Sequence, residues 1–180
     1  MTSLLAPAQR RLLLALVACA GLLGPHAQAQ GRVEPYRYRL AFDLAVPAGW
    51  TAQPDLGGAA LVVLSPLSAP GDRFRENLNV SVGPVPAGRS RAEAYRDSRA
   101  ALRAGLAGFE VLKAEETTVG VRAAQRVVYE HTFGGQRLRA LAYLILADGR
   151  AYTLTGTALA ERFEAAQPAF EQMAHSFRLN

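Results

Sequence analysis

Apolar and polar positions alternate along much of the chain, and in two stretches the period lengthens. Tyr36, Tyr38, Leu40 and Phe42 alternate with Arg37, Arg39, Ala41 and Asp43, the two-residue period of a strand with one apolar face. Pro47-Ala48-Gly49-Trp50 follows as a turn carrying a large aromatic, and Gly57-Gly58 makes another. Ala60 to Leu64 is a short apolar strand. Ser65 to Glu76, interrupted by Pro66, Pro70 and Gly71, is a loop. Leu78, Val80 and Val82 then alternate with Asn77, Asn79 and Ser81, a half-buried strand ended by Pro84, Pro86 and Gly88.

The period changes after Ser90-Arg91-Ala92-Glu93. This is a capping box: the Ser hydroxyl accepts from the amide of Glu93, whose carboxylate reaches back to the amide of Ser90. The helix it opens is expected to run to about Leu106, with Gly105 and Gly108 as stops. Ala92, Tyr95, Leu102 and Leu106 fall near one face, and Arg96, Arg99 and Arg103 near another.

Strand signals resume with Phe109 to Val119, a turn at Gly120, and Val121 to Phe133, where Val121, Ala123, Val127, Tyr129 and Phe133 share one parity. Gly134-Gly135 and Asp148-Gly149 read as tight hairpin turns. Leu138 to Leu146, between them, is apolar on both parities, so this strand is central and covered on both faces. Ala151 to Thr157 is the return strand. Phe163, Phe170, Met173 and Phe177 predict a helix from about Leu159 to Ala174 that Pro168 either kinks or restarts, and His175 to Leu179 closes with a short strand. Short links force antiparallel pairing. The result is an α/β (α+β) chain: one domain, an α/β/α sandwich around an antiparallel sheet of about six to seven strands with two main helices, the Trp50 region helping to cover the sheet.

The first residues read as an address. Arg10 and Arg11 precede an uncharged run from Leu12 to Leu23, shorter than the roughly 20 residues a membrane span needs. Gly24 and Pro25 break it, and Ala27-Gln28-Ala29 offers small residues for cleavage after Ala29. The expected organisation is a signal peptide over 1–29, a tether and the start of the first strand over 30–39, and the domain over 40–180. Leu16-Val17-Ala18-Cys19 allows a second reading, in which Cys19 is lipidated and anchors the chain. Cys19 is the only cysteine, which excludes an internal disulfide and a cysteine-based zinc site.

Half of the 180 residues are apolar, too many for a disordered chain. The formal charge of +5 falls to +3 once Arg10 and Arg11 are removed, leaving 18 basic residues against 15 acidic. That is no nucleic-acid footprint.

The order of elements carries a resemblance. The Pro47-Ala48-Gly49-Trp50 turn follows an N-terminal strand, and the meander holds Gly120-Val121-Arg122-Ala123-Ala124-Gln125-Arg126 and Tyr129. Tyr152-Thr153-Leu154-Thr155-Gly156 and Met173-Ala174-His175-Ser176-Phe177 complete the set. From about Leu40 to Leu179 the chain resembles the PsbP-like family and, within it, the bacterial DcrB-type exported proteins. The resemblance implies a compact α/β/α sandwich doing assembly, scaffolding or partner-binding work, with no family-wide catalytic residues to carry over. The photosynthetic role of PsbP proteins does not come with it, since the leader is of bacterial export type.

Little in the residues suggests a reaction. His131 reads as a half-buried, hydrogen-bonded strand-end histidine, with Glu130 on the opposite face. His175 complements the C-terminal dipole of its helix. Glu115 and Glu116 point to opposite faces of a strand. Asp72 and Glu76 share a loop with Arg73 and Arg75, a weak cation site at best. Trp50 reads as a core plug. The candidate partner surface is therefore Arg96, Arg99 and Arg103 on the first helix, with Asp72, Arg73, Arg75 and Glu76 on a loop long enough to suggest a role. The expected function is that of an exported, periplasmic or secreted envelope protein, non-catalytic and without metal or cofactor, that binds a protein partner. It meets the membrane only through Cys19 or the basic helix face. A small hydrolase or ligand carrier with an unrecognised pocket is the further alternative.

Overall fold

The structure, a computed structural model, describes residues 34–38 and 42–180, the former as backbone alone. Ala29, Cys19 and the leader lie outside the described residues. Among the described residues ten strands form two sheets: β1 (Glu34–Tyr38), β2 (Phe42–Val46), β3 (Thr51–Pro54), β4 (Leu61–Leu64), β5 (Asn77–Pro84), β6 (Ala107–Val119), β7 (Arg122–Phe133), β8 (Gln136–Ala147), β9 (Arg150–Leu159) and β10 (Arg178–Leu179). Helix α1 (Arg91–Gly105) lies between β5 and β6, and α2 (Phe163–Ser176) follows β9 through a 3-10 turn, Ala160–Arg162. The large sheet has the order β3-β4-β5-β9-β8-β7-β6, antiparallel throughout, and the small one β1-β2-β10.

Two-residue turns build the meander from β6 to β9. At Gly134-Gly135 and Asp148-Gly149 both turn residues have positive φ, between +52° and +79°, the primed geometry whose twist suits a hairpin. Strand β8 is covered on both faces as its sequence requires. Leu141, Tyr143 and Ile145 enter the main core, whereas Ala140 and Ala142 enter a second cluster with Val127, Tyr129 and Leu106. The main core is aromatic. Phe42 lies 5.2 Å from Phe177, and Phe163 lies 6.4 Å from Phe170 between ring centroids. Trp50 meets Phe170 edge-on at 6.2 Å, in keeping with a core plug. Each fully buried large side chain here contributes about 1.5–3 kcal/mol.

The connection from β5 to β6 sets the opposite face. These strands run parallel to each other, with β9, β8 and β7 between them. A parallel relation needs a crossover. Four strand spacings amount to about 19 Å, and a helix the length of α1 reaches about 22 Å. The capping box that starts α1 is present, Ser90 Oγ accepting from the Glu93 amide at 3.3 Å and Glu93 accepting from the Ser90 amide at 2.9 Å.

Several expectations are corrected. The run from Tyr36 to Asp43 is not one strand: β1 and β2 pair antiparallel with Tyr38 opposite Phe42, and with β10 they form a small sheet on the main core. Strand β3 pairs with β4 but has no periodic signal in its four residues, Thr51 to Pro54. Leu159 ends β9 rather than starting a helix, and Pro168 lies inside a continuous α2. Ala92 is exposed, and Val121 is 99% exposed because it sits in the turn before β7. Strand β6, at the sheet's edge, slips register twice, between Ala107 and Glu110 and between Val111 and Lys113. Among the described residues no helix is long and apolar enough to cross a membrane.

Gly156 leaves room for the Phe170 ring of α2 against the sheet. A Cβ added there would overlap the Phe170 ring, with two further ring carbons at 2.7 Å. Gly156→Ala is expected to destabilise the fold by about 1–3 kcal/mol. In a Phe170→Ala background the penalty should fall toward zero; urea unfolding of the four chains in this cycle measures it.

Candidate functional site

The loop from Ser65 to Glu76 is held down by two arginines. Arg75 donates through Nε to the Ser65 carbonyl and through Nη2 to Thr51 Oγ1 at 3.3 Å. Arg162, from the 3-10 turn, forms a two-pronged pair with Asp72 and reaches Ser68 Oγ at 3.1 Å. Its Nη1 also lies 3.5 Å from Glu76 Oε1. Glu76 is buried and accepts from the Ser65 hydroxyl at 3.0 Å. Asp72 accepts from the Phe74 amide at 3.0 Å, closing a local turn. The two carboxylates are therefore neutralised by Arg162 and do not form a cation site. Of the four charged loop residues, only Arg73 is exposed. Arg162 was not legible from sequence, because it comes from ninety residues further along the chain.

The histidines divide. His131 is 1% exposed, and neither ring nitrogen has a hydrogen-bond partner, so the expectation of a half-buried, bonded residue is corrected. Burial pushes its pKa below the ordinary value. Its strand neighbour Glu130 turns to the other face and pairs with Arg137 and Arg139, the latter at 2.8 Å. Among the described residues no three acidic, histidine or cysteine side chains gather as a metal site. His175 is exposed in the last turn of α2 with its ring 5.9 Å from Tyr143. Glu115 pairs with Lys113 and Arg126, while Glu116 lies on the other face and acts on Tyr95 below α1.

The arginines of α1 remain apart from these networks. Arg89, just before the helix, is paired with Glu93 and Asp97. Arg96 and Arg103 are exposed, Arg99 is half-buried over the sheet, and none of the three has an ion-pair partner among the described residues.

A seven-stranded antiparallel sheet carrying a helix on each face is the fold of the PsbP-like proteins. The chain belongs to the DcrB family, whose model matches residues 43–176. The solution structure of CyanoP from Synechocystis sp. PCC 6803 is similar at a TM-score of 0.62 and 20% identity, covering 89% of this chain and 100% of that one. LpqN of Mycobacterium tuberculosis, described as involved in cell envelope biogenesis, gives a TM-score of 0.64 at 16% identity over 77% of this chain and 83% of its own. PA94 of Pseudomonas aeruginosa, of unknown function, gives 0.57 at 20% over 81% and 96%. At these identities the likeness is one of fold. No curated protein matches in sequence.

The Arg162 pair makes a titration prediction. The two-pronged hydrogen bond from Arg162, with the Phe74 amide, lowers the Asp72 pKa from 3.8 to about 2. The stabilisation is complete above the unfolded value of 3.8 and is lost as pH falls through about 2. In Arg162→Gln, carboxyl NMR should show Asp72 titrating close to its ordinary value.

Proposed function

We propose that this is an exported, non-catalytic envelope protein that binds or helps assemble a protein partner through the outer face of α1. The carrying observation is the pair Arg96 and Arg103, exposed and without ion-pair partners among the described residues while Arg89 beside them is paired twice. Cations left free on a helix face attract an acidic surface and set the rate of encounter. The family, and the envelope role named for LpqN, support the location. The leader from Arg10 to Ala29 supports export. The hydrolase alternative loses its best residue, since no carboxylate faces His131 among the described residues.

A photo-reactive amino acid at position 100, exposed on α1 between Arg96 and Arg103, is expected to give a discrete envelope-protein adduct in cells of the native host. Arg96→Glu with Arg103→Glu should reduce it several-fold, and added salt should weaken it. A probe at Gln172, exposed on α2, is the control. Equal labelling from Gln172, or no adduct from α1, overturns the reading. The Leu16-Val17-Ala18-Cys19 motif favours a second form, anchored by lipid. The intact mass of the native protein separates a chain beginning at Gln30 from an acylated one beginning at Cys19.

A further inference from the structure

Helix α1 does not seal the sheet it crosses. Only Tyr95 of the helix is buried, and Ser98, Arg99, Ala101 and Leu102 roof a cleft of about 70 Å³. Its floor is two cross-strand rungs. Ser81, Thr153, Leu144 and Gln125 stand opposite one another in turn on β5, β9, β8 and β7. Thr155, Ala142 and Val127 form the next rung. The middle of the floor is thus apolar, and Leu102 faces it from above. Its margins carry three hydroxyls and an amide.

These polar groups line the cleft without side-chain partners in the protein. No side-chain hydrogen bond links Ser81, Thr153, Thr155 or Gln125 to another described residue, although Thr155 and Gln125 are 5% and 9% exposed. Thr157, next along the same face of β9, is buried with its hydroxyl unpaired. The polar atoms of Ser81, Thr153, Thr155 and Gln125 are not sealed from solvent but open on the cleft, so together they offer a bound molecule a row of polar positions. Arg99 adds the charge. The other partly buried arginines are all engaged: Arg126 on Glu115 and Glu171, Arg139 on Glu130 and Glu164, Arg162 on Asp72, and Arg75 on the Ser65 carbonyl and Thr51. Arg99 has no such partner and lines the cleft. Arg96 and Arg103, one turn to either side, strengthen the positive field at its mouth.

We propose that this cleft binds a small amphiphilic anion, a carboxylate or monophosphate on a short alkyl chain. The head meets the Arg99 guanidinium, with the floor hydroxyls and the Gln125 amide as further donors. The chain lies along Leu144, beside the Leu102 side chain where that packs on Val127 and Ala142. The volume holds the head and the first few carbons of the chain, and the rest of a six-carbon chain leaves through the open mouth. The site is independent of the protein partner proposed above, which meets the outer face of the helix.

The test is titration of the full-length chain with hexanoate, hexyl phosphate, hexylammonium and acetate, followed by amide NMR shifts and calorimetry. Hexanoate and hexyl phosphate are expected to shift Arg99, Leu102, Thr153 and Thr155 saturably. Acetate lacks the chain and hexylammonium has the wrong charge, so both should fail. Arg99→Gln should weaken hexanoate about tenfold, the loss of one charge-assisted hydrogen bond. Leu102→Trp should block the cleft, and Ser98→Phe serves if the former does not fold. The proposal is overturned if hexylammonium binds as well as hexanoate, if Arg99→Gln binds unchanged, or if neither acid gives saturable shifts. It is equally overturned if phosphatidylglycerol vesicles bind while the soluble acids do not, which would assign the arginines to a membrane surface.

Discussion

Strand β8 is apolar on both faces, and a strand of that kind obliges the chain to cover its sheet twice. The two covers are unequal. On one face α2 and the small sheet bring Phe42, Phe163, Phe170, Met173 and Phe177 into a single core. On the other, α1 contributes one buried side chain and otherwise spans a floor with polar margins. This inequality follows from connectivity. Helix α2 grows directly out of β9, beside the centre of the sheet, whereas α1 has to bridge from β5 to β6 across three intervening strands. A bridging helix is placed by its ends, and its middle is free to carry chemistry other than packing.

Much of this could be read from local signals. The capping box at Ser90, the paired-glycine and Asp-Gly turns, and the double apolar parity of β8 each depend on contacts within a few residues. What stayed hidden was nonlocal. The alternation from Tyr36 to Asp43 is the same whether the chain runs straight or doubles back, so it does not reveal the β1–β2 hairpin. The polar parity of Asn77, Asn79 and Ser81 looks like a solvent face, yet Asn79 is buried and Ser81 lines the cleft under α1. Asp72 and Glu76 look like a free acidic pair until Arg162 is brought to them. His131 looks like a strand end because Phe133 and the Gly134-Gly135 turn follow closely, yet it is fully buried.

Arginine does two kinds of work in this chain. Arg126 joins β7 to β6 and to α2 through Glu115 and Glu171, and Arg139 joins β8 to β7 and α2 while its guanidinium lies 5.5 Å over the Phe163 ring. Such planar, forked cations clamp one layer of the sandwich to the next. The α1 arginines clamp nothing described here. The sequence motif alone, an arginine every three or four residues, does not say which arginines meet a carboxylate from another element.

The two register slips in β6 have a consequence for how copies of the chain can meet. A long, regular edge strand offers unpaired amides and carbonyls to any other extended segment, including an identical one in a neighbouring molecule. In β6 the slips around Gly108 and Leu112 interrupt that row, and exposed Lys113 stands beside the second of them. The opposite edge, β3, is four residues long and ends in Pro54. Neither margin is therefore a good template for sheet extension, and a chain concentrated within one compartment gains protection against edge-to-edge aggregation from defects in its own ladder.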